Sequence, residues 1–279
     1  MGRIHTLRHH SAFFLAFVLL WSCTVSGAES VEPPASTDPT EIAAKRGEAA
    51  VKVSVFYLTN RKRLPFHLKS ETNLVALAEQ ADPRQFWEQL AAAVERTSTG
   101  SVVLFVHGYN YGFERTCRMA AEMQRSLQDK ATVLVFSWPS NGLPSDYVRD
   151  QADIEWSVPV LADLMARLGD RVGETHVNVV AHSLGSRGVI FALQRLAFER
   201  VERPAIGHLV LLAPDFDSQT FIELQPGLAT LTGGMTLYAS DNDAPLKVSR
   251  QLSGYPRLGE AGAYLTLVEG MDTIDVSSV

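Results

Sequence analysis

The pentapeptide Ala181-His182-Ser183-Leu184-Gly185 follows an apolar run and precedes a segment with helical spacing. It is close to the nucleophile elbow G-x-S-x-G, with Ala181 in place of the first glycine. A sharp turn between strand and helix lifts the serine hydroxyl clear of the sheet, and the N-terminus of the helix directs N–H groups at a developing oxyanion. The alternative is a serine that only caps a helix. The strand before it and the helix after it favour a nucleophile.

The loop Val106-His107-Gly108-Tyr109-Asn110 directly follows the apolar run Ser101–Val106. In a serine hydrolase built on an α/β sheet, a loop at this position supplies an oxyanion N–H beside that of the residue after the nucleophile. The sequence therefore predicts Leu184 as one oxyanion donor and Tyr109 or Asn110 as the other. The alternative is a glycine turn without a chemical role.

Two ring-bearing residues that follow strand-like runs, His107 and Trp138, are predicted to contact the substrate. Trp138 belongs to the segment Phe136–Ser140, which would wall the acyl or alcohol pocket. A hinge loop without contact to the substrate explains that segment equally well.

Carboxylates follow two further strand-like runs, at Asp215 and at Asp243. Both fit a triad whose acid lies between serine and histidine along the chain. We predict Asp243, which follows the penultimate run, and its neighbour Asp241 stays open as an alternative. Asp215 is predicted to cap a helix that begins near Phe216.

Short β-branched runs alternate with segments of helical spacing along most of the chain. The strand-like runs are Val51–Leu58, Ser101–Val106, Thr132–Phe136, His176–Ala181, His208–Ala213, Met235–Ala239 and Tyr264–Val268. Several are apolar on consecutive residues, as expected of strands covered on both faces. These units predict an α/β fold, with a mostly parallel sheet flanked by helices. Functional groups of such sheets gather at the carboxyl ends of the strands.

Seven segments together resemble the α/β-hydrolase superfamily and, more narrowly, the bacterial group known as DUF900. They are Val55–Arg61, Phe105–Asn110, Phe136–Ser140, Ala181–Gly185, Ala213–Asp215, Leu237–Ser240 with Asn242-Asp243, and Asp272–Val276. As a set they are specific, whereas the serine pentapeptide alone is not. The resemblance implies an α/β-hydrolase-type sheet, a Ser183 nucleophile, an Asp243 acid and an ester-like substrate class.

The triad histidine departs from that resemblance. In similar proteins it follows the segment resembling Asp272–Val276, whereas no histidine follows His208 in this sequence. We expect a C-terminus that is cut short. A pseudoenzyme that keeps the pocket for binding is one alternative, and a histidine supplied from elsewhere is another.

Five other histidines of the predicted domain could substitute for that base. His176 and His208 begin strands and would lie roughly 16 Å from the carboxyl ends. His182 should point away from Ser183 across the sharp turn, and His67 falls in an exposed loop. His107 is the best of the substitutes, because it lies in the loop that is expected to bind the oxyanion.

The composition is that of an ordinary globular protein, with 279 residues, 46% of them hydrophobic, and a net charge of −6. The acidic balance argues against nucleic-acid binding, and the basic run Arg61–Arg63 is predicted to lie on a solvated loop. Two cysteines are too few for a disulfide scaffold or a Cys-rich zinc site, and Cys117 falls in an apolar helical stripe typical of a core residue. Zinc-protease, redox, P-loop and dinucleotide motifs are absent, so neither a metal nor a cofactor is predicted.

Residues 1–28 are predicted to be a signal peptide, with two arginines before the apolar run Ala12–Trp21, which is short for a membrane span. Residues 29–48 are predicted to be a flexible linker, and residues 49–279 an α/β-hydrolase domain. The protein is thus expected to be exported to the periplasm or outside the cell, without a membrane span after cleavage. A lipid anchor at Cys23 and an uncleaved N-terminal anchor stay open.

Together these features predict an exported serine hydrolase of small ester-like substrates, impaired if its base is missing. The rival interpretation is a non-catalytic exported binding module on the same fold.

Overall fold

The computed structural model describes residues 3–5, 53–61, 72–77, 82–140, 142–199 and 205–278. The expected signal peptide lies outside the described residues except for Arg3–His5, and the expected linker, Cys23 and His67 lie outside them altogether. Within the described part of the chain, no helix is both long and apolar enough to cross a membrane.

Strands and helices alternate along most of the described chain. The strands are β1 (Arg3–His5), β2 (Val53–Thr59), β3 (Thr72–Leu77), β4 (Ser101–Val106), β5 (Ala131–Ser137), β6 (Val177–His182), β7 (His208–Leu212), β8 (Met235–Ala239) and β9 (Met271–Asp275). The α-helices are α1 (Pro83–Glu95), α2 (Phe113–Leu127), α3 (Tyr147–Val172), α4 (Leu184–Glu199), α5 (Ser218–Ala229) and α6 (Ala244–Ser253). Short 3₁₀ turns lie at Pro144–Asp146, Glu174–His176 and Gly262–Tyr264.

These strands form one sheet in the order β1-β9-β8-β7-β6-β4-β5-β2-β3, and every pairing within it is parallel. The chain steps outward from β4 to β5, returns to β6 on the other side of β4, and then proceeds through β7, β8 and β9. Strand order therefore reverses between β4 and β6. The loops that follow these two strands meet at the carboxyl edge of the sheet, where α/β proteins place their ligands.

Consecutive apolar residues in the strands serve two different cores. Val102, Leu104 and Val106 of β4 pack in the core that includes residues of α1, α3, α4 and α5. Val103 and Phe105 pack on the opposite face, with residues of α2 and α6. Because successive strand residues point to opposite faces, a strand covered on both sides is apolar throughout. The predicted mostly parallel sheet flanked by helices is confirmed.

The strand predicted at Tyr264–Val268 is wrong, and the last strand is β9. Thr266 and Val268 are buried while Leu267 between them is exposed, so the segment alternates without pairing in the sheet. Alternation reports which side chains face a core, whereas pairing depends on a neighbouring backbone. Asp272 and Asp275 interrupt the apolar pattern of β9, so the sequence does not predict a strand there.

The thiol of Cys117 lies in the core, as its position in a helical stripe predicted. It is 1% exposed on α2, and burial raises its pKa to about 12. A thiol that stays protonated is a poor nucleophile, so Cys117 is a packing residue.

Candidate active site

Ser183 occupies a strained turn between β6 and α4. Its φ is +50°, in the left-handed region that residues other than glycine rarely adopt. The turn is held by its backbone, because the Ser183 N–H donates to the Leu212 carbonyl at 3.0 Å and the Ser183 carbonyl accepts from Ser186 N at 3.0 Å and Asp215 N at 3.2 Å. The strand, turn and helix expected around a serine nucleophile are thus all present, and backbone strain of this kind clusters at functional sites.

Two glycines allow this turn to pack against the loop after β4. A Cβ on Gly108 would lie 2.9 Å from Ser183 Cβ and 2.6 Å from His182 Nδ1. A Cβ on Gly185 would lie 2.6 Å from the Val106 carbonyl oxygen and would also collide with that of His107. Real Cβ atoms do not come this close, so the two turns interlock through positions that only glycine fits.

The hydrogen bonds of the loop after β4 distinguish the two N–H groups that the sequence offered as oxyanion donors, those of Tyr109 and Asn110. The Asn110 N–H donates to Asp150 Oδ2 at 3.2 Å, and Asn110 itself has a φ of +60°. The prediction of Asn110 as a donor is therefore corrected, since its N–H already serves a buried carboxylate. Tyr109 stays as the donor predicted from this loop. Leu184 is the first residue of α4, so its N–H has no acceptor within the helix.

His107 and Trp138 lie beneath the site rather than on its surface. Both are 0% exposed, and their rings stack 4.8 Å apart with an interplanar angle of 7°. Trp138 Nε1 also donates to the His107 carbonyl at 2.7 Å. The predicted substrate contacts of these two residues are corrected, because neither side chain reaches a surface that a ligand can touch in this conformation.

The two histidines near Ser183 are both poorly suited to act as a base. Burial lowers the pKa of His107 well below its ordinary value, and the nearby Arg61 charge lowers it further. Burial, helped by the charge of Arg115, lowers the pKa of His182 to about 3. A general base works best with a pKa near the working pH, so neither ring has the basicity that a serine hydrolase needs.

His176 and His208 lie at the amino ends of their strands, as predicted. His176 Nδ1 contacts the Thr99 carbonyl and His208 Nε2 contacts Thr236 Oγ1 at 2.9 Å. His208 also lines an apolar cavity of about 350 Å³ whose wall includes Ser101 and Asn178, at the sheet edge opposite Ser183. Neither histidine is placed to take a proton from the serine.

Asp215 is held within a network of polar contacts beside the serine turn. Its Oδ2 accepts from Tyr147 Oη at 2.7 Å, and its Oδ1 accepts from Ser249 Oγ at 2.7 Å and lies 3.3 Å from Arg257 Nε. The prediction that Asp215 caps a helix is wrong, because Asp217 caps α5. Both oxygens of Asp215 therefore already have side-chain partners.

Asp243, the acid predicted from the sequence, directly follows the loop after β8. It is 6% exposed, and its Oδ1 accepts from Leu246 N at 2.9 Å as the N-cap of α6. Asp241, two residues earlier, is exposed. The chain leaving β9 runs against this loop, since Ser277 Oγ accepts from Asp241 N at 2.9 Å and the Ser277 carbonyl accepts from Asn242 Nδ2 at 2.6 Å.

The buried Asp243 should make folding stability depend on pH. Burial, reinforced by the charges of Asp215 and Glu260, raises its pKa from the ordinary 3.8 to about 6. Between these values the folded chain binds more protons than the unfolded chain, so the free energy of unfolding falls as pH rises from about 4 to about 6. Asp243→Asn stays neutral and can still accept from Leu246 N. We expect the free energy of unfolding of this variant to exceed that of the wild type by about 3 kcal/mol at pH 8 and to match it at pH 4.

Urea unfolding between pH 4 and pH 8 measures this difference, with the exposed Asp241→Asn as the matched control. Parallel stability profiles for wild type and Asp243→Asn would contradict the assignment of a raised pKa to Asp243.

The predicted solvated loop is wrong for Arg61, the one residue of the run Arg61–Arg63 that the structure describes. Instead of lying on a solvated loop, its guanidinium bonds Ser137 Oγ, the Ser140 carbonyl and the Tyr111 carbonyl. Burial lowers its pKa to about 10, so it stays charged at neutral pH. The only sequence signal was its place in the segment Val55–Arg61, directly after a strand.

A parallel sheet with a strained serine turn at the reversal of strand order, locked against a glycine-containing loop, defines the α/β-hydrolase class. The chain belongs to the family described as alpha/beta hydrolase of unknown function (DUF900), whose model matches residues 82–278. This match confirms the resemblance drawn from the sequence segments.

Similar proteins cover parts of the chain. An uncharacterized protein of Nostoc sp. (strain PCC 7120) is 36% identical over 84 residues, which are 29% of this chain and 22% of that protein. The chain thus spans about a fifth of that relative. Among solved structures, the hormone-sensitive-lipase homolog EstE7 from a metagenome library has a TM-score of 0.37 at 15% identity, over 71% of this chain and 88% of that chain. A hormone-sensitive lipase from a metagenome library has a TM-score of 0.36 at 15% identity, over 71% and 84%.

Proposed function

We propose that this chain is a serine hydrolase of small ester-like substrates in which Ser183 is the nucleophile. The observation that carries the proposal is the strained turn at Ser183, which the backbone holds from both sides at the carboxyl edge of the sheet. A serine that only capped a helix would not need a left-handed backbone, since N-cap residues have extended dihedrals.

The reaction proceeds by acyl transfer in two halves. Ser183 Oγ attacks the acyl carbon, its proton passes to a base, and the base returns that proton to the departing alkoxide as the ester C–O bond breaks. Water then attacks the acyl-serine by the same route, releasing the acid and restoring the hydroxyl. The N–H groups of Leu184 and Tyr109 bind the oxyanion in both halves.

Asp243 orients the base in this proposal, because the other buried acid of the site, Asp215, is already bonded to three partners. None of the four histidines described in the predicted domain is assigned as the base. The pKa values of His107 and His182 are too low. His176 and His208 lie at the amino ends of their strands, away from Ser183. Added imidazole can therefore stand in for the base. We further propose that the protein works after export, on a small-molecule substrate.

A non-catalytic binding module is the second candidate, and the placement of these four histidines favours it. Such a module would bind a ligand beside the serine turn while lacking an activated nucleophile.

The experiment is intact-mass analysis of the folded 279-residue chain after treatment with a fluorophosphonate, with and without imidazole. We expect one adduct per chain, faster labelling as imidazole rises, and no adduct in Ser183→Ala. Asp243→Asn should weaken the acceleration by imidazole, whereas the exposed Asp241→Asn should not.

An adduct that persists in Ser183→Ala would place the reactive group elsewhere and refute the proposal. No adduct on folded protein at any imidazole concentration would refute it as well and leave the binding module as the better description.

A further inference from the structure

A group of polar side chains beneath the loop 107–111 has no part in the acyl transfer described above. We call the four residues Arg61, His107, Ser140 and Asp150 the loop clamp. His107, Ser140 and Asp150 are each 0% exposed, and the guanidinium of Arg61 is mostly buried. Burying two charged groups is costly unless hydrogen bonds compensate for the lost water. The hydrogen bonds of Arg61 and Asp150 therefore indicate what the clamp does.

Arg61 ties the end of this loop to the end of β5. Its Nη2 donates to the Tyr111 carbonyl at 3.1 Å, and its Nη1 and Nε donate to the Ser140 carbonyl at 2.6 Å and to Ser137 Oγ at 3.0 Å. A guanidinium presents its donors in a rigid planar fork. The three acceptors are therefore fixed relative to one another.

Asp150 holds the middle of the loop from α3. Its Oδ2 accepts from the Asn110 N–H at 3.2 Å and from Ser140 Oγ at 2.6 Å, and Ser140 Oγ in turn accepts from the Tyr111 N–H at 3.2 Å. Two successive N–H groups of the loop, those of Asn110 and Tyr111, are thus directed to the clamp.

His107 fixes the first peptide unit of the loop. Its Nδ1 lies 3.0 Å from the Gly108 carbonyl, which can only accept, so Nδ1 carries the proton and the unprotonated Nε2 faces Arg61 Nη2 at 3.5 Å. The Gly108 carbonyl and the Tyr109 N–H belong to one planar trans peptide unit and point in opposite directions. Holding that carbonyl against His107 therefore turns the Tyr109 N–H away from His107, and the neighbouring Gly108 packs on Ser183.

We infer that Arg61 and Asp150 are positioning residues that aim the Tyr109 N–H at the oxyanion by holding the loop 107–111 from below. The inference deepens the proposed function and rests on it. Neither residue touches the reacting atoms, and Arg61 acts through His107 and the Tyr111 carbonyl.

The test compares Arg61→Gln and Asp150→Asn with Arg115→Gln in the full chain. Arg115 is the matched control, because its guanidinium lies 4.1 Å above the Tyr111 ring, so its loss also removes one positive charge beside the loop. The first readout is the rate of fluorophosphonate labelling of Ser183 as a function of imidazole concentration. The second is nitrogen NMR of the His107 ring together with amide hydrogen exchange at Asn110 and Tyr111.

We expect Arg61→Gln and Asp150→Asn to lower the limiting labelling rate about 10- to 100-fold, because a misplaced donor loses much of its effect on an oxyanion. The imidazole concentration for half-maximal rate should not change. Arg61→Gln should shift the His107 ring nitrogen signals, and exchange at Asn110 and Tyr111 should quicken in both variants. Arg115→Gln should resemble the wild type in every readout.

Equal labelling rates for Arg61→Gln and Arg115→Gln would overturn the inference. If the wild type itself is not labelled, the proposed function fails. The His107 ring signals and the amide exchange rates then still test whether the clamp positions the loop. Unchanged ring signals and exchange in Arg61→Gln would then overturn it, and the expected changes would support the clamp as a device that positions the loop. Asp150→Asn, which keeps the shape of the side chain, guards against a variant that fails to fold.

Discussion

Replacing Gly185 by alanine is expected to lower the free energy of unfolding by about 3 kcal/mol, at the upper end of the usual cost of overpacking. The new methyl group would lie 2.6 Å from the Val106 carbonyl oxygen and would also meet that of His107. Both obstacles are backbone atoms at the end of a central strand, so no side-chain rotation can make room. Either α4 or the loop after β4 must move, and labelling of Ser183 should fall with stability.

Gly227→Ala is the matched control, since Gly227 also lies within a helix but a Cβ there would meet nothing within 4 Å. Alanine favours helix over glycine by about 1 kcal/mol, so this variant should be slightly more stable than the wild type. Urea unfolding of both variants measures the change in the free energy of unfolding, which should be negative for Gly185→Ala and positive for Gly227→Ala. A Gly185→Ala variant as stable as the wild type would show that the two turns are not locked as the structure places them.

Removing the cation beside Asp215 is expected to cost about 3–5 kcal/mol, the range for leaving a buried charge without its partner. Asp215 is 4% exposed and Arg257 is 8% exposed. In Arg257→Met the carboxylate would keep Tyr147 and Ser249 but lose its cation. Because the Asp215 N–H also bonds the Ser183 carbonyl, the serine turn should loosen as well.

Arg167→Met provides the comparison, because Arg167 pairs with Asp163 on the surface of α3 with both side chains more than half exposed. Exposed pairs of this kind contribute well below about 1 kcal/mol. Adding Asp215→Asn to Arg257→Met should recover part of the loss by removing the stranded charge. Thermal and urea unfolding measure both steps, and equal costs for Arg257→Met and Arg167→Met would contradict the assignment of a buried ion pair.

The elements that carry the serine followed from local sequence. The runs at Ser101–Val106 and Met235–Ala239 matched strands to the residue, and the serine pentapeptide lay between a strand and a helix as predicted. These features depend on side-chain periodicity and on backbone preferences within a few residues. The weakly patterned β9 escaped detection because its carboxylates interrupt that periodicity.

Contacts between distant segments decided the rest. Arg61 bonds Ser137 and Ser140, which lie 76 and 79 residues further along the chain, and Asn110 donates to Asp150, 40 residues away. No local pattern distinguishes a solvated arginine from one inserted under a loop, or the N–H of Tyr109 from that of Asn110. The same holds for the acids, since the choice between Asp215 and Asp243 depends on which partners tertiary packing brings to each.

The sequence by itself therefore determined the parallel sheet and the position of Ser183 at its carboxyl edge, because periodicity and turn preference are local properties of the chain. Only the tertiary structure decided that the Asn110 N–H and the Asp215 carboxylate are already bonded and that Arg61 bonds the loop after β4. Hydrogen bonds that hold those groups join strands and loops whose proximity is set by the order of strands in the sheet.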